Sequence, residues 1–170
     1  MTHNAERPLR GRVAQISVAA MEHLLRSATP DDLQAIEEIV RAAYSHYVAR
    51  IGRKPGPMLD DYSILIAEGH VHVAEYDGTV RGLLILIPED GVMLLDNVAV
   101  APASQGMGLG RALLAFAERV AKASGCHTIR LYTNEAMIEN IRLYSRIGYV
   151  ETHRAEDKGL RRVYMTKPLR

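Results

Sequence analysis

The feature that most constrains the fold is a change in hydrophobic period near residue 109. Upstream, "HVHVAEYD" alternates Val71 and Val73 with polar residues, and the turn pair Asp77-Gly78 connects it to a second strand-like segment, "TVRGLLILIPED". "VMLLDNVAV" follows as a third after another tight turn. From Leu109, apolar residues recur every three or four positions until Gly125, which is typical of a helix that ends at a glycine. The sequence therefore predicts an antiparallel meander of three strands followed by an amphipathic helix.

The segments on either side of this block extend the order of elements. "EHLLRSA" predicts a first strand, and "TPDDLQAIEEIVRAAYSHYV" has the spacing of a helix. Two Gly and two Pro within positions 52–57 predict a loop, which precedes a short helix at 58–68. After the long helix, "HTIRLYT" predicts a strand, residues 134–147 a helix, and the last two segments a hairpin around 157–159. The order β-α-α-β-β-β-α-β-α-β-β is neither all-α nor doubly wound and favours an α+β fold.

Length and the N-terminal pattern together predict one domain. A chain of 170 residues is close to the usual size of a domain and can bury about 70% of its unfolded surface around one core. Residues 1–20 have no clear period, so we treat them as an N-terminal extension, with Met21 as an alternative start, and residues 21–170 as a single domain. The alternative for the extension is a short helix packed on that domain.

The amino-acid composition limits which binding partners and which cellular compartment we expect for the protein. Lys and Arg number 21 against 20 Asp and Glu, with no long run of like charge, so nothing supports a nucleic-acid partner. The single cysteine, Cys126, forms no intramolecular disulfide and no zinc cluster, which fits a reducing cytoplasm. No apolar run is long enough for a membrane span or a signal peptide, so we expect a soluble protein. His70 and His72 alternate on one strand without a third ligand, and we expect solvated histidines and no metal.

Three glycines at alternate positions, in "SQGMGLGRALL", lead directly into the predicted long helix. Exposed N–H groups and the dipole at a helix N-terminus bind phosphate, and glycines let the main chain approach it closely. The P-loop motif fails because Gly110 is followed by Arg111 and Ala112 in place of Lys and Ser or Thr. The dinucleotide motif Gly-x-Gly-x-x-Gly, counted from Gly106, fails because Arg111 takes the third glycine position. By itself the loop predicts either another phosphate site or a tight turn without a ligand.

The context of the loop points to one family. "VAVAPASQGMGLGRALL" resembles the acetyl-CoA signature of the GNAT superfamily of N-acetyltransferases, with the pattern met by Gln105, Gly108 and Gly110. "IRLYSRIGYVE" is similar to a later segment of that superfamily, with Tyr144 followed by Gly148-Tyr149. The resemblance implies a GNAT-like α+β fold over residues 22–168, with a central mixed, mostly antiparallel sheet of about seven strands and helices on both faces.

The resemblance also implies an activity. It indicates transfer of an acetyl group from acetyl-CoA to a primary amine of a small molecule, amino acid, peptide or protein, by direct attack in a ternary complex. We expect no metal and no covalent acyl-enzyme, and we expect a possible homodimer because dimers are common among such relatives. The alternative from another class is a non-catalytic module of the same fold that binds acyl-CoA as a sensor or regulator.

Tyr144 favours the enzyme over the sensor, because the resemblance gives it the role of supplying a proton or hydrogen bond to the leaving thiolate. Many relatives have Asn where this chain has Met137, which keeps the sensor open. Asn140 or Asn134 are the candidates to replace that contact to coenzyme A, although Asn134 is equally suited to cap the helix.

The remaining cofactor contacts follow from the resemblance. Backbone amides of the glycine loop hold the pyrophosphate, the Arg111 side chain adds a cation, and the strand at 92–100 pairs through its backbone with the pantetheine arm. An amide of that strand stabilises the oxyanion. The residues concerned are Val98, Val100, Gln105, Gly106, Met107, Gly108, Leu109, Gly110 and Arg111. Because the matched pattern does not require Gly106, we expect Gly106→Ala to be the mildest glycine substitution.

Direct attack requires a neutral amine, which for a Lys-like group of pKa about 10.4 is only about one molecule in a thousand at neutral pH. A base is therefore expected, and Asp96 is the best candidate because strand alternation places it on one face with Leu94, Val98 and Val100. Glu37 is a weaker candidate. The resemblance places the acceptor near four residues of the first helix and the loop after it, where arginines favour an acceptor with a carboxylate. They are Tyr44, Tyr47, Arg50 and Arg53.

Overall fold

The computed structural model describes residues 24–170, and the predicted N-terminal extension lies outside them. Seven strands in this part of the chain form one sheet. In chain order they are β1 (Leu25–Ser27), β2 (Val71–Tyr76), β3 (Thr79–Glu89), β4 (Val92–Val100), β5 (Thr128–Asn134), β6 (Val150–Asp157) and β7 (Leu160–Pro168). The α-helices are α1 (Leu33–Ile51), α2 (Tyr62–Ala67), α3 (Leu109–Ala123) and α4 (Ile138–Arg146).

The sheet is mixed, with the strand order β1-β2-β3-β4-β5-β7-β6. Every neighbouring pair is antiparallel except β4 and β5, which run parallel and are joined through α3. Helices cover both faces: α1 and α2 pack on one through residues such as Ile36 and Ile66, and α3 packs on the other through Leu113 and Ala117. The predicted α+β fold, with a mostly antiparallel sheet of seven strands between helices, is confirmed.

Two predicted helices have different limits in the structure. The helix predicted at 134–147 begins only at Ile138, because Asn134 still belongs to β5 and its Oδ1 accepts a hydrogen bond from the Ala136 N–H at 2.9 Å. Asn134 therefore closes a local turn and does not cap the helix. The helix predicted at 58–68 is confined to α2, whose N-terminus is capped by the Asp61 carboxylate, and a 3-10 turn at Gly56–Met58 lies mostly within the predicted loop.

The central strand β4 contains a β-bulge at Asp96. Its register with β3 places Asn97 opposite Ile85 but Leu95 opposite Leu86. Asp96 is therefore the extra residue between two paired positions.

The bulge changes which residues of β4 share a face. Leu95 before it and Val98 after it both pack into the core that α3 covers, although simple alternation would put them on opposite faces. The prediction that Asp96 shares a face with Leu94, Val98 and Val100 is therefore wrong. Asp96 lies at the position where the alternation of side chains between the two faces of the sheet is shifted by one residue.

His70, which immediately precedes β2, and His72, which lies within it, are both only partly exposed. His72 packs edge-on against Phe116 of α3, with ring centroids 5.2 Å apart, and its buried Nδ1 has no hydrogen-bond partner among the described residues. His70 Nε2 lies 3.5 Å from the Glu68 carboxylate. The expectation of solvated histidines is therefore wrong for His72. In residues 24–170, no three His, Cys, Asp or Glu side chains are grouped to hold a metal, and no helix is both long and apolar enough to cross a membrane.

The burial of His72 predicts a pH-dependent stability. Burial lowers the pKa of its imidazole below the usual value of about 6.5, and the neighbouring His70 adds to this. The unfolded chain then binds the proton more readily, so the contribution of neutral His72 to stability is complete above about pH 6.5 and is lost as the pH falls. We expect His72→Gln to reduce the decrease in unfolding free energy between about pH 7 and pH 5, measured by urea unfolding. An equal change in the exposed control, His46→Gln, would contradict the assignment.

Candidate active site

A cleft opens where β4 and β5 separate. The two strands are paired from Val92 with Thr128 as far as Leu95 with Leu131, and they part at the bulge. A cavity of about 380 Å³ occupies the gap, with walls from β4, β5, α4, the loop before α2 and the β6–β7 hairpin. Strands that part leave backbone N–H and C=O groups without partners in the sheet, so the cleft can hold an extended ligand arm through its main chain.

The glycine loop follows the end of β4 and leads into α3. Gly106 and Gly108 have φ of 79° and 85°, in the left-handed region, and Gly108 immediately precedes the first turn of the helix. Gln105 donates from Nε2 to the Val100 carbonyl at 3.3 Å, which ties the loop to β4. Gln105, Gly106, Gly108 and Arg111 are exposed. The first N–H groups of a helix have no partners inside it, so those of α3 are available to an anion.

Tyr144 lines the cavity from α4. The residue is only 8% exposed and packs against Tyr149, with ring centroids 5.8 Å apart. Burial raises the pKa of the Tyr144 hydroxyl above its usual value of about 10, so the hydroxyl keeps its proton at neutral pH. Such a group is a weaker acid than a thiol, whose usual pKa is about 8.5. The arrangement therefore favours stabilisation of a leaving thiolate by a hydrogen bond over complete proton transfer.

Asp96 lies in the cavity wall, with its carboxylate held from β5. Tyr132 donates a hydrogen bond from its hydroxyl to Asp96 Oδ1 at 2.7 Å. The guanidinium carbon of Arg162 lies 4.3 Å from the centroid of the Tyr132 ring, and Arg162 makes an ion pair with Asp157 at 2.6 Å. Burial, together with the charge of Asp96, raises the pKa of the Tyr132 hydroxyl. This hydroxyl therefore stays protonated and fixes the orientation of the Asp96 carboxylate.

Asn97 is a residue of the site that the sequence analysis did not identify. It is 4% exposed, and its Oδ1 accepts a hydrogen bond from the Tyr44 hydroxyl at 2.6 Å. Its Nδ2 donates to the Tyr62 hydroxyl at 3.2 Å, and that hydroxyl donates to the Pro57 carbonyl at 2.5 Å. The network fastens α1 and the loop before α2 to β4 beside the bulge. The signal in the sequence was an amide next to Asp96 in a strand whose other residues are apolar, "LLDNVAV".

The structure brings many of the predicted residues to the cleft and leaves others outside it. Those that line the cavity are Tyr44, Arg53, Asp96, Val98, Asn134, Asn140 and Tyr144. The predicted residues that do not line it are Glu37, Tyr47, Arg50, Val100 and the glycine loop at 105–111. Tyr47 is a buried core residue, and Leu109 of the glycine loop also has its side chain in the core.

Arg50 has a structural partner in place of an acceptor. Its Nη1 donates to the two carboxylate oxygens of Glu139 at 2.7 and 2.9 Å and to the Ala136 carbonyl at 3.2 Å. These bonds join the end of α1 to the start of α4. The charge of Arg50 is therefore already matched.

The end of the cavity beside the β6–β7 hairpin also contains polar residues for which the sequence predicts no role. They are Asp60, Tyr132, Lys158 and Arg162. Lys158 and Arg162 reach the cavity because β7 pairs with β5, which brings the β6–β7 hairpin beside the cleft. Arg53 Nη1 donates to the Lys158 carbonyl at 2.9 Å, so the loop after α1 and the hairpin are in contact there.

Comparison with known proteins agrees with this arrangement. The chain is 28% identical over 142 residues to YjgM, an uncharacterized N-acetyltransferase of Escherichia coli (strain K12), in a match that covers 78% of this chain and 85% of the relative. The crystal structure of PaiA N-acetyltransferase from Thermoplasma acidophilum in complex with coenzyme A has a TM-score of 0.71 at 19% identity, covering 85% of this chain and 97% of that one. The structure of YncA from Salmonella typhimurium with its cofactor acetyl-CoA has a TM-score of 0.64 at 27% identity, covering 86% and 93%.

The family itself is given by a sequence match. The model of the acetyltransferase (GNAT) family matches residues 19–149. Because this match spans more than half of the chain and agrees with both the fold and the glycine loop, the chain belongs to the GNAT family of acetyltransferases.

Proposed function

We propose that this N-acetyltransferase transfers an acetyl group from acetyl-CoA to a primary amine by direct attack in a ternary complex. The observation that carries the proposal is the cleft, in which β4 and β5 part beside the buried Tyr144 while the glycine loop follows at the end of β4. Two of the similar structures, those of PaiA and YncA, contain coenzyme A and acetyl-CoA respectively. The proposal keeps two expectations from the sequence, that the protein works in the reducing cytoplasm and that it forms a homodimer.

In this proposal the main chain holds most of the coenzyme. The amides of the loop from Gln105 to Arg111 bind the pyrophosphate, and the backbone of Val98 and Val100 binds the pantetheine arm. Asn134 and Asn140 line the cavity and are the polar side chains suited to that arm. Met137 lines the cavity but cannot act as the usual asparagine, because a thioether has no N–H to donate. Its sulfur accepts weak hydrogen bonds from Thr133 Oγ1 at 3.4 Å and from Asn140 Nδ2 at 3.7 Å.

The chemistry is divided between the two ends of the cavity. Tyr144 donates a hydrogen bond to the departing sulfur, and a backbone N–H of β4 stabilises the oxyanion. Asp96, which the sequence predicts as the base, is fixed by Tyr132 where it can bind the acceptor ammonium group. Deprotonation of a Lys-like ammonium costs about 4 kcal/mol at neutral pH, so the site also needs a proton acceptor.

We call the end of the cavity beside the β6–β7 hairpin the acceptor end, and its charges favour an amine that also carries a carboxylate, such as an amino acid or a peptide terminus. Arg53, Lys158 and Arg162 line the cavity together with Asp60 and Asp96. Cationic and anionic side chains in one cavity complement an acceptor with charges of both signs. Lys158, which makes no ion pair among the described residues, thus takes the place that the sequence analysis gave to Arg50, since Arg162 is already paired with Asp157.

Release of free thiol from acetyl-CoA, with mass spectrometry of the products, tests the proposal on a panel of L-lysine, spermidine, a dipeptide and propylamine. We expect coenzyme A and an acetylated product with at least one amine, and faster release with the amino acid and dipeptide than with propylamine. If acetyl-CoA binds but no amine is acetylated, the proposed reaction is wrong and the protein is an acyl-CoA sensor. Equal rates for propylamine and the dipeptide would contradict the preference for a carboxylate.

A further inference from the structure

Asp60 is a carboxylate at the acceptor end of the cavity, in a loop with a fixed backbone. It lies between the 3-10 turn at Gly56–Met58 and α2. Tyr62 and Asn97 fasten this loop to β4, and the Leu59 N–H donates to the Gly56 carbonyl at 2.9 Å. The position of Asp60 relative to Asp96 and the parted strands is therefore set by the fold.

Among the described residues, the carboxylate of Asp60 has no hydrogen-bond or ion-pair partner. In contrast, Tyr132 holds Asp96 and Arg162 holds Asp157. Asp60 is accessible to solvent, but it lies in a concavity with protein on several sides. An unpaired carboxylate at the acceptor end of an active-site cleft is available to a cationic substrate.

Charged and titratable side chains face this part of the cavity from every surrounding element. Asp96 of β4 disfavours the ionised form of Asp60, while Arg162 of β7 and Lys158 of the hairpin favour it. Tyr132 of β5, which lines the cavity, and Tyr62 of α2, which lies behind its wall, interact electrostatically with Asp60. Burial raises the pKa of both hydroxyls. The other such side chains that line the cavity are Tyr44, Arg53 and Tyr144.

These surroundings raise the pKa of Asp60 to about 6. The main cause is the protein that displaces water around the carboxylate, and the negative charge of Asp96 adds to it against Arg162 and Lys158. Asp60 is therefore ionised at neutral pH but holds a proton more tightly than an ordinary aspartate, whose pKa is about 3.9. A base is most effective when its pKa lies near the working pH.

We propose that Asp60 is the base that removes a proton from the ammonium group of the acceptor while Asp96 holds that group in the cavity; this assignment rests on the proposed acetyl transfer. The N–H bond breaks, its electron pair stays on nitrogen, and the proton binds a carboxylate oxygen of Asp60. That pair attacks the thioester carbonyl, and the C–S bond then breaks with its pair on sulfur. Nitrogen then loses its second proton to solvent, and the thiolate, which leaves hydrogen-bonded to Tyr144, takes up a proton from solvent. The proton on Asp60 leaves to the solvent that Asp60 contacts.

The pH dependence of kcat/KM for the most active amine of the panel tests this assignment. With Asp60 as the base, kcat/KM is expected to be level from just above about pH 6 to the pKa of the amine, because ionised Asp60 and the ammonium form react together. In Asp60→Asn only the neutral amine reacts. We therefore expect kcat/KM to fall about 100-fold at neutral pH and to rise about tenfold per pH unit.

Two further variants make the test specific. Asp61→Asn is the matched control, because Asp61 is the exposed neighbour that caps α2 and Asn is an equally good cap, so its profile should equal that of the wild type. Asp96→Asn removes a negative charge beside Asp60 and should move the acidic limb to lower pH. A wild-type profile that already rises tenfold per unit, or an Asp60→Asn profile equal to the wild type, would overturn the proposal.

A readout without turnover separates this assignment from the proposed function. The ¹³C NMR signal of the Asp60 carboxyl carbon, identified by its absence in Asp60→Asn, should titrate near pH 6. Propylammonium should lower that midpoint, because a bound cation favours the carboxylate. A midpoint near 4 that propylammonium does not move would refute the role of Asp60 even in an active enzyme. A midpoint near 6 that it lowers, with no amine acetylated, would refute acetyl transfer and support the ammonium site.

Discussion

Replacing Tyr144 by Phe is expected to lower kcat about 100-fold while leaving the affinity for acetyl-CoA unchanged. The variant removes one hydroxyl from a buried ring that lines the cavity. A hydrogen bond to a charged group is worth about 1.5–3 kcal/mol, and here the bond gains that strength only as the thiolate forms. The loss should therefore appear equally in kcat and in kcat/KM. Steady-state kinetics with the most active amine, and calorimetric titration with acetyl-CoA, measure the two quantities.

Tyr149 provides the matched control, because it packs against Tyr144 in the same core. It is 2% exposed, and its hydroxyl is buried without a hydrogen-bond partner among the described residues. Tyr149→Phe removes an unsatisfied polar group, so we expect an unchanged kcat and a free energy of unfolding higher by about 1 kcal/mol. Equal kcat values for Tyr144→Phe and Tyr149→Phe would mean that Tyr144 is only a core residue.

The elements that the sequence predicted correctly are those that depend on local pattern. Alternation at Val71 and Val73 defines β2, and the spacing of apolar residues from Leu109 defines α3. Gly125, with a φ of 77°, follows the end of that helix as its residue type predicts. Such patterns depend only on neighbouring residues, so the elements that they predict do not depend on contacts with distant parts of the chain.

The bulge at Asp96 could not be predicted, because it is a property of two strands. Nothing within "VMLLDNVAV" requires an extra residue, and the shift exists only in the register of β4 with β3. One inserted residue exchanges the faces of every later side chain. The sequence therefore located the correct strand but assigned the wrong neighbours to Asp96.

The acceptor end of the cavity depends on contacts between distant residues. Arg50 donates a hydrogen bond to Glu139, which lies 89 positions away in the chain, and Tyr44 donates one to Asn97, which lies 53 positions away. Arg162 reaches the cavity only because β7 inserts between β5 and β6. A single sequence carries no local sign of such pairings. This explains why the sequence led to a prediction for the glycine loop and Tyr144 but to none for Asp60.

Gly110→Ala is expected to raise the KM for acetyl-CoA by about tenfold or more without loss of stability. Gly110 lies in the first turn of α3, and an added Cβ would meet Val100 Cγ2 at 3.9 Å, an ordinary contact distance. Ala is more stable than Gly inside a helix by about 0.5–1 kcal/mol, so the free energy of unfolding should if anything rise. In the proposed complex the same Cβ separates the loop amides from the pyrophosphate. Steady-state KM and thermal unfolding without ligand measure the two effects separately.

Gly106→Ala is the comparison, because at Gly106 the backbone conformation, and not the space around the side chain, limits which residue fits. Nothing lies within 4 Å of an added Cβ, but a φ of +79° is in the left-handed region, which costs an L-residue about 1–2 kcal/mol. We therefore expect Gly106→Ala to lower the free energy of unfolding while raising the acetyl-CoA KM less than Gly110→Ala does. The expected effect of Gly106→Ala is small only for the KM of acetyl-CoA, because the family pattern requires Gln105, Gly108 and Gly110 but not Gly106. An equal rise in KM for both variants would mean that the loop binds the pyrophosphate in a different register.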